Sequence, residues 1–269
     1  MLSRSTVSLF RATGVNHGLK VCVGVKRVVD YTVKIRVKDN KVVTDNVKMS
    51  VNPFDEIAIE EAVRMKEKRK DVEVIAITIG PKKNEESLRS ALALGCDKAV
   101  HVLTKDGQEI EPLGVAKIFA KLHEEMKPEL WLLGKQAIDG DYGMTTQMLA
   151  GLLEAPQGTY ASEVVLAEDG KTVKVTREID GGAQVVELTT PAVLAADLRL
   201  NTPRHAALQK IMQARRKPID SRPIDKMDVD VSPRLTTKTV TEPESRKAGV
   251  IVKTVDELVD KLKNEAKVL

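Results

Sequence analysis

Aromatic side chains and long apolar runs are scarce in this chain. Phe, Trp and Tyr together make up only 3% of its 269 residues, too few for a surface of stacked rings that binds single-stranded nucleic acid. No apolar run approaches the roughly 18 residues that a membrane-spanning helix needs. Hydrophobic residues, at 42% of the chain, are nevertheless numerous enough for one substantial core, which predicts a globular protein.

Patterns typical of catalysis and metal binding are also missing. The two cysteines, Cys22 and Cys96, stand apart in apolar segments, which predicts buried, reduced thiols. The four histidines are dispersed and lack the spacing of metal ligands. The chain has no phosphate loop ending in Gly-Lys-Ser or Gly-Lys-Thr, and no dinucleotide fingerprint follows the first predicted strand. We therefore expect no metal site and no catalytic residue.

Acidic side chains are absent from the first part of the chain, up to Asp30. Residues 1–18 contain Arg4, Arg11 and several hydroxyl side chains, a composition that predicts a mitochondrial targeting segment. A disordered N-terminus is the alternative. Without those two arginines, 41 basic residues would face 39 acidic ones, a net charge of +2 instead of +4. Such a small charge gives little support for nucleic acid binding.

Patterns of buried strands and amphipathic helices alternate over residues 19–200. This alternation predicts a Rossmann-like, open α/β fold with a mostly parallel sheet and helices on both faces. Asn52 and Pro53 suit an N-cap and a first helical residue, and Gly95 would end a helix. The predicted strands are 20–25, 72–79, 98–102, 130–134 and 191–196, and the predicted helices begin at about residues 53, 85, 112 and 144.

Other segments interrupt or follow this alternation. Residues 33–43, with Asp39-Asn40 at their centre, predict a β-hairpin, and alternating apolar side chains predict an antiparallel insertion at about 161–190. Residues 218–269 are predicted to form an extended C-terminal arm that ends in a short amphipathic helix at 255–268. An arm of this kind commonly wraps a partner, and a free tail is the alternative.

The segment 130–145 is the most informative part of the sequence. An apolar strand runs into a polar loop that contains Gly134, Gly140 and Gly143, and a helix follows. Glycine lets the backbone approach a ligand, and unpaired N–H groups at a helix start favour a phosphate. Ligands bind beyond the carboxyl ends of parallel strands, so this loop should share a crevice with the ends of the first two predicted strands. We predict nucleotide binding without hydrolysis, and the alternative is a loop that merely turns the chain.

Residues 201–217 predict a loop and helix that bind a partner. Leu208, Ile211 and Met212 recur at helical spacing within a segment of dense positive charge. One apolar side and one basic side suit an acidic partner with a hydrophobic pocket. An ordinary solvated surface helix is the alternative, and nucleic acid binding is a weaker third interpretation.

Several separated motifs resemble the β-subunit family of electron transfer flavoproteins, and the resemblance covers nearly the whole chain after residue 19. The motifs follow the order and spacing of the family, which makes the resemblance specific. They are residues 25–31 (VKRVVDY), 52–56 (NPFDE), 134–139 (GKQAID), 177–182 (REIDGG) and 196–204 (ADLRLNTPR).

The resemblance implies a heterodimer in which an α subunit makes most contacts with FAD while this chain buries a structural AMP. Tyr31 would lie near the flavin ring, and the C-terminal arm would wrap the α subunit. Leu208, with Ile211 and Met212, would dock acyl-CoA dehydrogenases in the mitochondrial matrix, and electrons would pass through FAD to a quinone oxidoreductase. The AMP site would be lined by Gly24, Asn52, Pro53, Phe54, Asp55, Ile79, Gly134, Lys135, Gln136, Ala137, Ile138, Asp139, Gly140, Asp141, Tyr142, Gly143, Met144 and Thr145.

Departures from the family pattern limit what the resemblance implies. Gly143 and Met144 replace Asn and Gln of many relatives, so backbone groups would have to hold the phosphate there. Gln213 and Arg216 replace two lysines that relatives can methylate. One alternative is a variant in which a second FAD occupies the AMP site and electron pairs are split. A less favoured alternative is an enzyme that processes adenine nucleotides, although the first strand lacks its pyrophosphate loop.

Overall fold

The computed structural model describes residues 18–242, 244 and 249–269. The predicted targeting segment lies outside these residues except for Gly18. The described residues belong to two units: one contains residues 18–34 and 44–236, and the other contains residues 35–43 and the described part of 237–269. No helix among them has both the length and the apolar character needed to cross a membrane.

The secondary structure consists of short strands and helices in regular succession. The strands are β1 (Leu19–Gly24), β2 (Arg27–Val29), β3 (Val37–Lys38), β4 (Lys41–Val42), β5 (Met49–Val51), β6 (Val72–Gly80), β7 (Lys98–Leu103), β8 (Leu130–Gly134), β9 (Gln157–Leu166), β10 (Thr172–Ile179), β11 (Gly182–Thr189), β12 (Ala192–Ala196) and β13 (Asp220–Pro223). The helices are α1 (Pro53–Lys68), α2 (Glu85–Leu94), α3 (Pro112–Met126), α4 (Thr145–Leu153), α5 (Leu208–Ala214) and α6 (Val255–Asp260).

A nine-stranded mixed sheet forms the centre of the larger unit. Its strand order is β11-β10-β9-β12-β8-β1-β6-β7-β13. The strands from β9 to β13 in this order run parallel, while β10 and β11 extend one edge as antiparallel strands. The α/β fold with a mostly parallel sheet that the sequence predicts is therefore confirmed.

Helices cover both faces of this sheet because its central strands are apolar on both sides. Val21 and Val23 of β1 face the hydrophobic cluster that α1 and α2 complete. Cys22, between them, faces the second cluster, which contains residues of α3 and α4. Successive strand residues point to opposite faces, so a continuous apolar run such as β1 can serve two cores.

The predicted helix ends agree closely with the structure. Helix α2 ends at Leu94, where Gly95 adopts a φ of 135° and its N–H donates to the carbonyl of Ala91 at 3.2 Å. That backbone region favours glycine. Helices α1 and α3 both begin with a proline, which has no N–H to leave unpaired at that position.

Antiparallel pairing of β9 with β10 begins at Ala161, and the preceding residues of β9, from Gln157, pair in parallel with β12. The predicted C-terminal arm differs from the structure. The extended arm predicted from residue 218 begins with strand β13, which pairs with β7, and Ile224 and Met227 then enter the core beside α3. A short polar strand ending in Pro223 suits a sheet edge but produces no periodic pattern that a sequence analysis would detect.

The smaller unit contains the predicted hairpin and the end of the chain. Strands β3 and β4 have two residues each, and Asp39 and Asn40 between them have φ values of 51° and 58°, as a type I′ turn requires. Asn40 also donates to the carbonyl of Lys238 at 2.9 Å. The helix predicted at 255–268 is shorter: α6 ends at Asp260, and a π-helical turn continues to Glu265.

Candidate functional site

The carboxyl ends of β1 and β8 meet the first turn of α1 at a buried carboxylate. One oxygen of Asp55 accepts a hydrogen bond from the backbone N–H of Lys26 at 2.8 Å, and the other accepts from the side chain of Asn52 at 3.0 Å. A Cβ atom at Gly134 would collide with Asp55 and with the backbone of Phe54. Position 134 therefore requires glycine, and the crevice predicted from the strand ends brings these segments together.

Asn52 occupies the N-cap position, but its side chain does not cap α1. Instead its Nδ2 donates to the carbonyl of Gln136 at 2.8 Å, and its Oδ1 accepts from the N–H of Ile138 at 3.2 Å. This corrects the prediction that Asn52 caps the helix. The side chain is buried against the loop after β8, where unpaired backbone groups would be costly, so it serves the loop and not the helix.

Burial raises the pKa of Asp55 to about 7, although the hydrogen bonds from Lys26 and Asn52 oppose this change. Desolvation disfavours the charged form of a buried carboxylate. Asp55 therefore holds the crevice together through its two accepted hydrogen bonds and titrates near neutral pH. From the sequence alone, an aspartate directly after Asn-Pro-Phe is expected only to stabilise the first turn of the helix, through its attraction to the positive end of the helix dipole.

Two ion pairs connect the rim of the crevice. Lys26 lies 2.7 Å from Asp139 of the loop after β8, and Lys135 lies 2.9 Å from Asp197, which follows β12. The ammonium of Lys135 also lies 5.2 Å from the ring centroid of Phe54. The sequence analysis placed the end of the first predicted strand, where Lys26 lies, in the crevice without naming Lys26 as a site residue, and it missed Asp197. The position of Asp197 directly after a central parallel strand is the signal that could have identified it.

Helix α4 begins beside this loop without a side-chain cap at Met144. Gly143, two residues before the helix, has a φ of 58°. This left-handed backbone conformation favours glycine. The hydroxyl of Thr146, in the first turn, is buried and has no hydrogen-bond partner among the described residues. Sequence analysis did not include Thr146 among the site residues, because a second threonine after Thr145 carries no distinctive signal.

The remaining predicted site residues lie around the crevice at different depths. Gly24 is buried, and a Cβ atom there would press against Leu133 and Phe119, so its role in the fold is close packing. Ile79 packs against the core at the end of β6. The outer part of the loop, which contains Gly140, Asp141, Tyr142 and Met144, is exposed, and Pro53, Ala137, Gly143 and Thr145 are intermediate in exposure.

Tyr31 stands on an exposed turn after β2. Its side chain is 77% exposed. Asp30 fixes the turn, because one oxygen accepts hydrogen bonds from the N–H and the hydroxyl of Thr32 at 2.9 and 2.6 Å. Hydrogen bonds from Lys48 and Thr32 lower the pKa of Asp30 to about 2. Asp30 is therefore ionised at neutral pH, and the turn that it holds keeps the aromatic ring of Tyr31 exposed.

The predicted partner-binding segment forms helix α5, and its apolar side chains are uncovered. Leu208, Ile211 and Met212 are 75%, 38% and 50% exposed, whereas Ala214 is the residue of this helix that is buried. Among the described residues, these three side chains form a small apolar surface, here called the α5 surface. An exposed apolar cluster of this kind is typical of a contact site for another protein.

These features define an α/β protein with a candidate binding crevice at the carboxyl ends of parallel strands. A model of the electron transfer flavoprotein domain matches residues 39–227. The chain is 52% identical to the mitochondrial electron transfer flavoprotein subunit beta of Oryza sativa subsp. japonica over 255 residues, which covers 93% of this chain and 100% of that protein. The chain belongs to the electron transfer flavoprotein β-subunit family.

Bacterial and animal relatives agree with this assignment. The electron transfer flavoprotein subunit beta of Bradyrhizobium diazoefficiens is 54% identical over 253 residues, which cover 93% of this chain and 100% of the relative. The protein of the same name from Homo sapiens is 51% identical over 249 residues, which cover 91% of this chain and 97% of the relative. The resemblance drawn from the separated motifs is thereby confirmed.

Proposed function

We propose that this chain is the β subunit of a heterodimeric electron transfer flavoprotein, and that it carries no catalytic residue of its own. It would bind a structural AMP and help to enclose an FAD that is held mainly by an α subunit. The observation that carries this proposal is the crevice in which the loops after β1 and β8 meet the first turns of α1 and α4. That arrangement suits an adenine nucleotide at strand ends.

The residues around the start of α4 fit a phosphate group. Backbone N–H groups at an uncapped helix start attract an anion, and the buried hydroxyl of Thr146 lacks a partner among the described residues. Of the two carboxylates in this loop, Asp139 is paired with Lys26, and Asp141 accepts a hydrogen bond from the side chain of Gln136 at 2.6 Å. The phosphate of AMP would supply the acceptor oxygens for the N–H groups at the start of α4 and for the hydroxyl of Thr146.

Tyr31 would contribute to the FAD site from its exposed turn, while the flavin itself would supply the redox chemistry. An aromatic ring displayed at a surface can pack against a planar ring system of a cofactor. The arm would wrap the α subunit, a role that is supported by the exposure of its apolar residues. Val250, Ile251 and Val255 are 75%, 95% and 76% exposed, and α6 has no buried residue.

The α5 surface would dock acyl-CoA dehydrogenases, and electrons would then pass through FAD to a quinone oxidoreductase. Lys210, Arg215 and Arg216 surround the surface with exposed positive charge, which favours encounters with an acidic partner. The mitochondrial name of the plant relative and the composition of residues 1–18 support a location in the mitochondrial matrix.

Nucleotide content tests the proposal directly. Residues 19–269 would be co-expressed with a candidate α subunit, and the nucleotides released from the purified, denatured complex would be quantified by chromatography. We expect one FAD and one AMP per heterodimer. Two FAD and no AMP would indicate the electron-splitting variant. A failure to pair or to hold flavin would overturn the proposal in favour of an adenine-nucleotide enzyme.

A further inference from the structure

Helix α5 is too short to be stable without support from its surroundings. It has seven residues, Leu208–Ala214, whereas isolated helices below about 12 to 15 residues are marginal in water. The side chains proposed to dock a partner point away from the protein, so they contribute little burial to its stability. Other contacts must therefore hold α5 in place before a partner arrives.

The first such contact joins the segment before α5 to α1. The guanidinium of Arg204 donates to both oxygens of Glu60 at 2.8 and 3.0 Å, and to Glu67 at 2.9 Å. The Glu60 side chain is only 3% exposed, and it also accepts from Arg64 at 2.6 Å. Burial opposes ionisation of Glu60, but the hydrogen bonds from Arg204 and Arg64 lower its pKa. The carboxylate is thus charged, paired and fixed.

Asn201 strengthens the same attachment. Its Nδ2 donates to the carbonyl of Ile57 and to the carboxylate of Glu61, each at 3.0 Å. Residues 201–204 are therefore attached to α1 by several hydrogen bonds, unlike a segment that is only solvated at the surface.

The second contact joins the end of α5 to α2. One nitrogen of Arg89 donates to the carbonyls of Ala214 and Lys217, at 2.8 and 2.5 Å, and another donates to Glu85 at 2.8 Å. The last carbonyls of a helix have no partners within it, and a cation near them also complements the helix dipole. Lys217 donates in turn to the carbonyl of Cys96 at 2.9 Å.

We propose that Arg204 and Arg89 are positioning residues that hold α5 in its docking conformation before the partner binds. Ordering a side chain or segment at an interface lowers affinity, and an already ordered segment avoids that loss. The two attachments lie on opposite sides of α5, that of Arg204 before the helix and that of Arg89 at its end, and neither arginine needs to touch the partner. This inference rests on the proposed docking function of the α5 surface.

Substitution of each arginine by lysine tests the proposal, because lysine keeps the charge but cannot form the planar fork. In the FAD-loaded heterodimer, Arg204→Lys and Arg89→Lys should raise the KM for reduction by an acyl-CoA dehydrogenase about three- to tenfold, with little change in kcat. Backbone amides of residues 208–214 should exchange hydrogen faster in the free heterodimer. Arg36→Lys is the matched control, because Arg36 is exposed, lies outside the α5 surface and forms no ion pair among the described residues.

A milder variant keeps the test decisive if Arg204→Lys destabilises the fold. Glu67→Gln removes the more exposed partner of Arg204 and leaves Glu60 in place, so its effects should have the same direction and a smaller size. Unchanged KM and unchanged exchange in all three variants would overturn the positioning role. Leu208→Ala separates the two hypotheses: if it leaves KM unaltered, the docking function itself fails, whereas faster exchange in the arginine variants would still support the attachment of α5.

Discussion

The side-chain amide of Asn52 donates a hydrogen bond to the backbone carbonyl of Gln136 at 2.8 Å. The same side chain accepts from the N–H of Ile138, and the backbone N–H of Asn52 donates to the carbonyl of Lys26 at 2.9 Å. One residue at the start of α1 thereby joins the loops that follow β1 and β8. Asn52 therefore fixes the geometry of the candidate nucleotide crevice and does not cap the helix.

Replacement of Asn52 by alanine should loosen the crevice. The change leaves the carbonyl of Gln136 and the N–H of Ile138 without their partner, which we expect to lower the free energy of unfolding by about 1–3 kcal/mol. The AMP content of the purified heterodimer should fall as well. Urea unfolding and chromatography of released nucleotides measure the two effects.

Asn264→Ala is a suitable control for that experiment, because it removes an amide whose single hydrogen bond is exposed on the C-terminal segment. It should change neither quantity appreciably. Full AMP content and unchanged stability in Asn52→Ala would show that the contact is dispensable.

The pH dependence of stability should reveal Asp55. Its pKa is raised to about 7 in the folded protein, against about 3.9 for an unfolded aspartate. Between these values only the folded state holds the proton, so the contribution of Asp55 to stability is greatest at low pH and declines as the pH rises from about 4 to 7.

Asp55→Asn removes this titration at nearly constant side-chain volume. The stability of the original protein minus that of Asp55→Asn should therefore decrease between pH 4 and 7, as measured by urea unfolding at several pH values. The comparison cancels His101 and His123, whose pKa values are lowered by burial in both proteins. A difference that is flat or that increases with pH would contradict the assignment.

The two thiols should be unreactive in the folded protein. Cys22 and Cys96 are both fully buried, and desolvation raises the pKa of each thiol, that of Cys96 to about 12. Alkylation requires an accessible thiolate. Mass spectrometry after treatment with iodoacetamide should show no modification of the native chain and two modifications after denaturation. Rapid native labelling of either residue would mean that its segment opens readily.

Shortening Leu208 should weaken docking without disturbing the flavin. Leu208→Ala removes most of a side chain that is 75% exposed on α5, and loss of an apolar anchor of this kind commonly lowers affinity about tenfold or more. We expect slower reduction by acyl-CoA dehydrogenases at subsaturating protein and an unchanged flavin spectrum. Leu152→Ala is the control, because Leu152 is 46% exposed on α4, away from the α5 surface and the arm; equal effects of both variants would argue against a specific docking site.

Several local features were predictable because they depend on near neighbours in the sequence. The turn at Asp39-Asn40, the helix that ends before Gly95 and the helix that begins at Pro112 all occur where the sequence places them. The same holds for the buried character of Cys22 and Cys96. Backbone conformations at these positions follow from the residue types themselves.

Features that depend on distant partners were not predictable in the same way. Strand β13 is recognisable only through its pairing with β7, about 120 residues earlier in the chain, and the role of Asn52 appears only when the loop after β8 lies against it. The attachment of Arg204 to Glu60 joins residues 144 positions apart. No short pattern in the sequence reports such contacts.

The sequence by itself determined the alternation of strands and helices, the glycine-bearing loop after β8 and the apolar residues of α5, because these follow from local conformational preference and hydrophobic period. The tertiary structure decided which polar side chains in the crevice are already engaged and how α5 is held. Strand order and side-chain pairing result from packing and hydrogen bonding between segments remote in sequence, and these interactions exist only once the chain has folded.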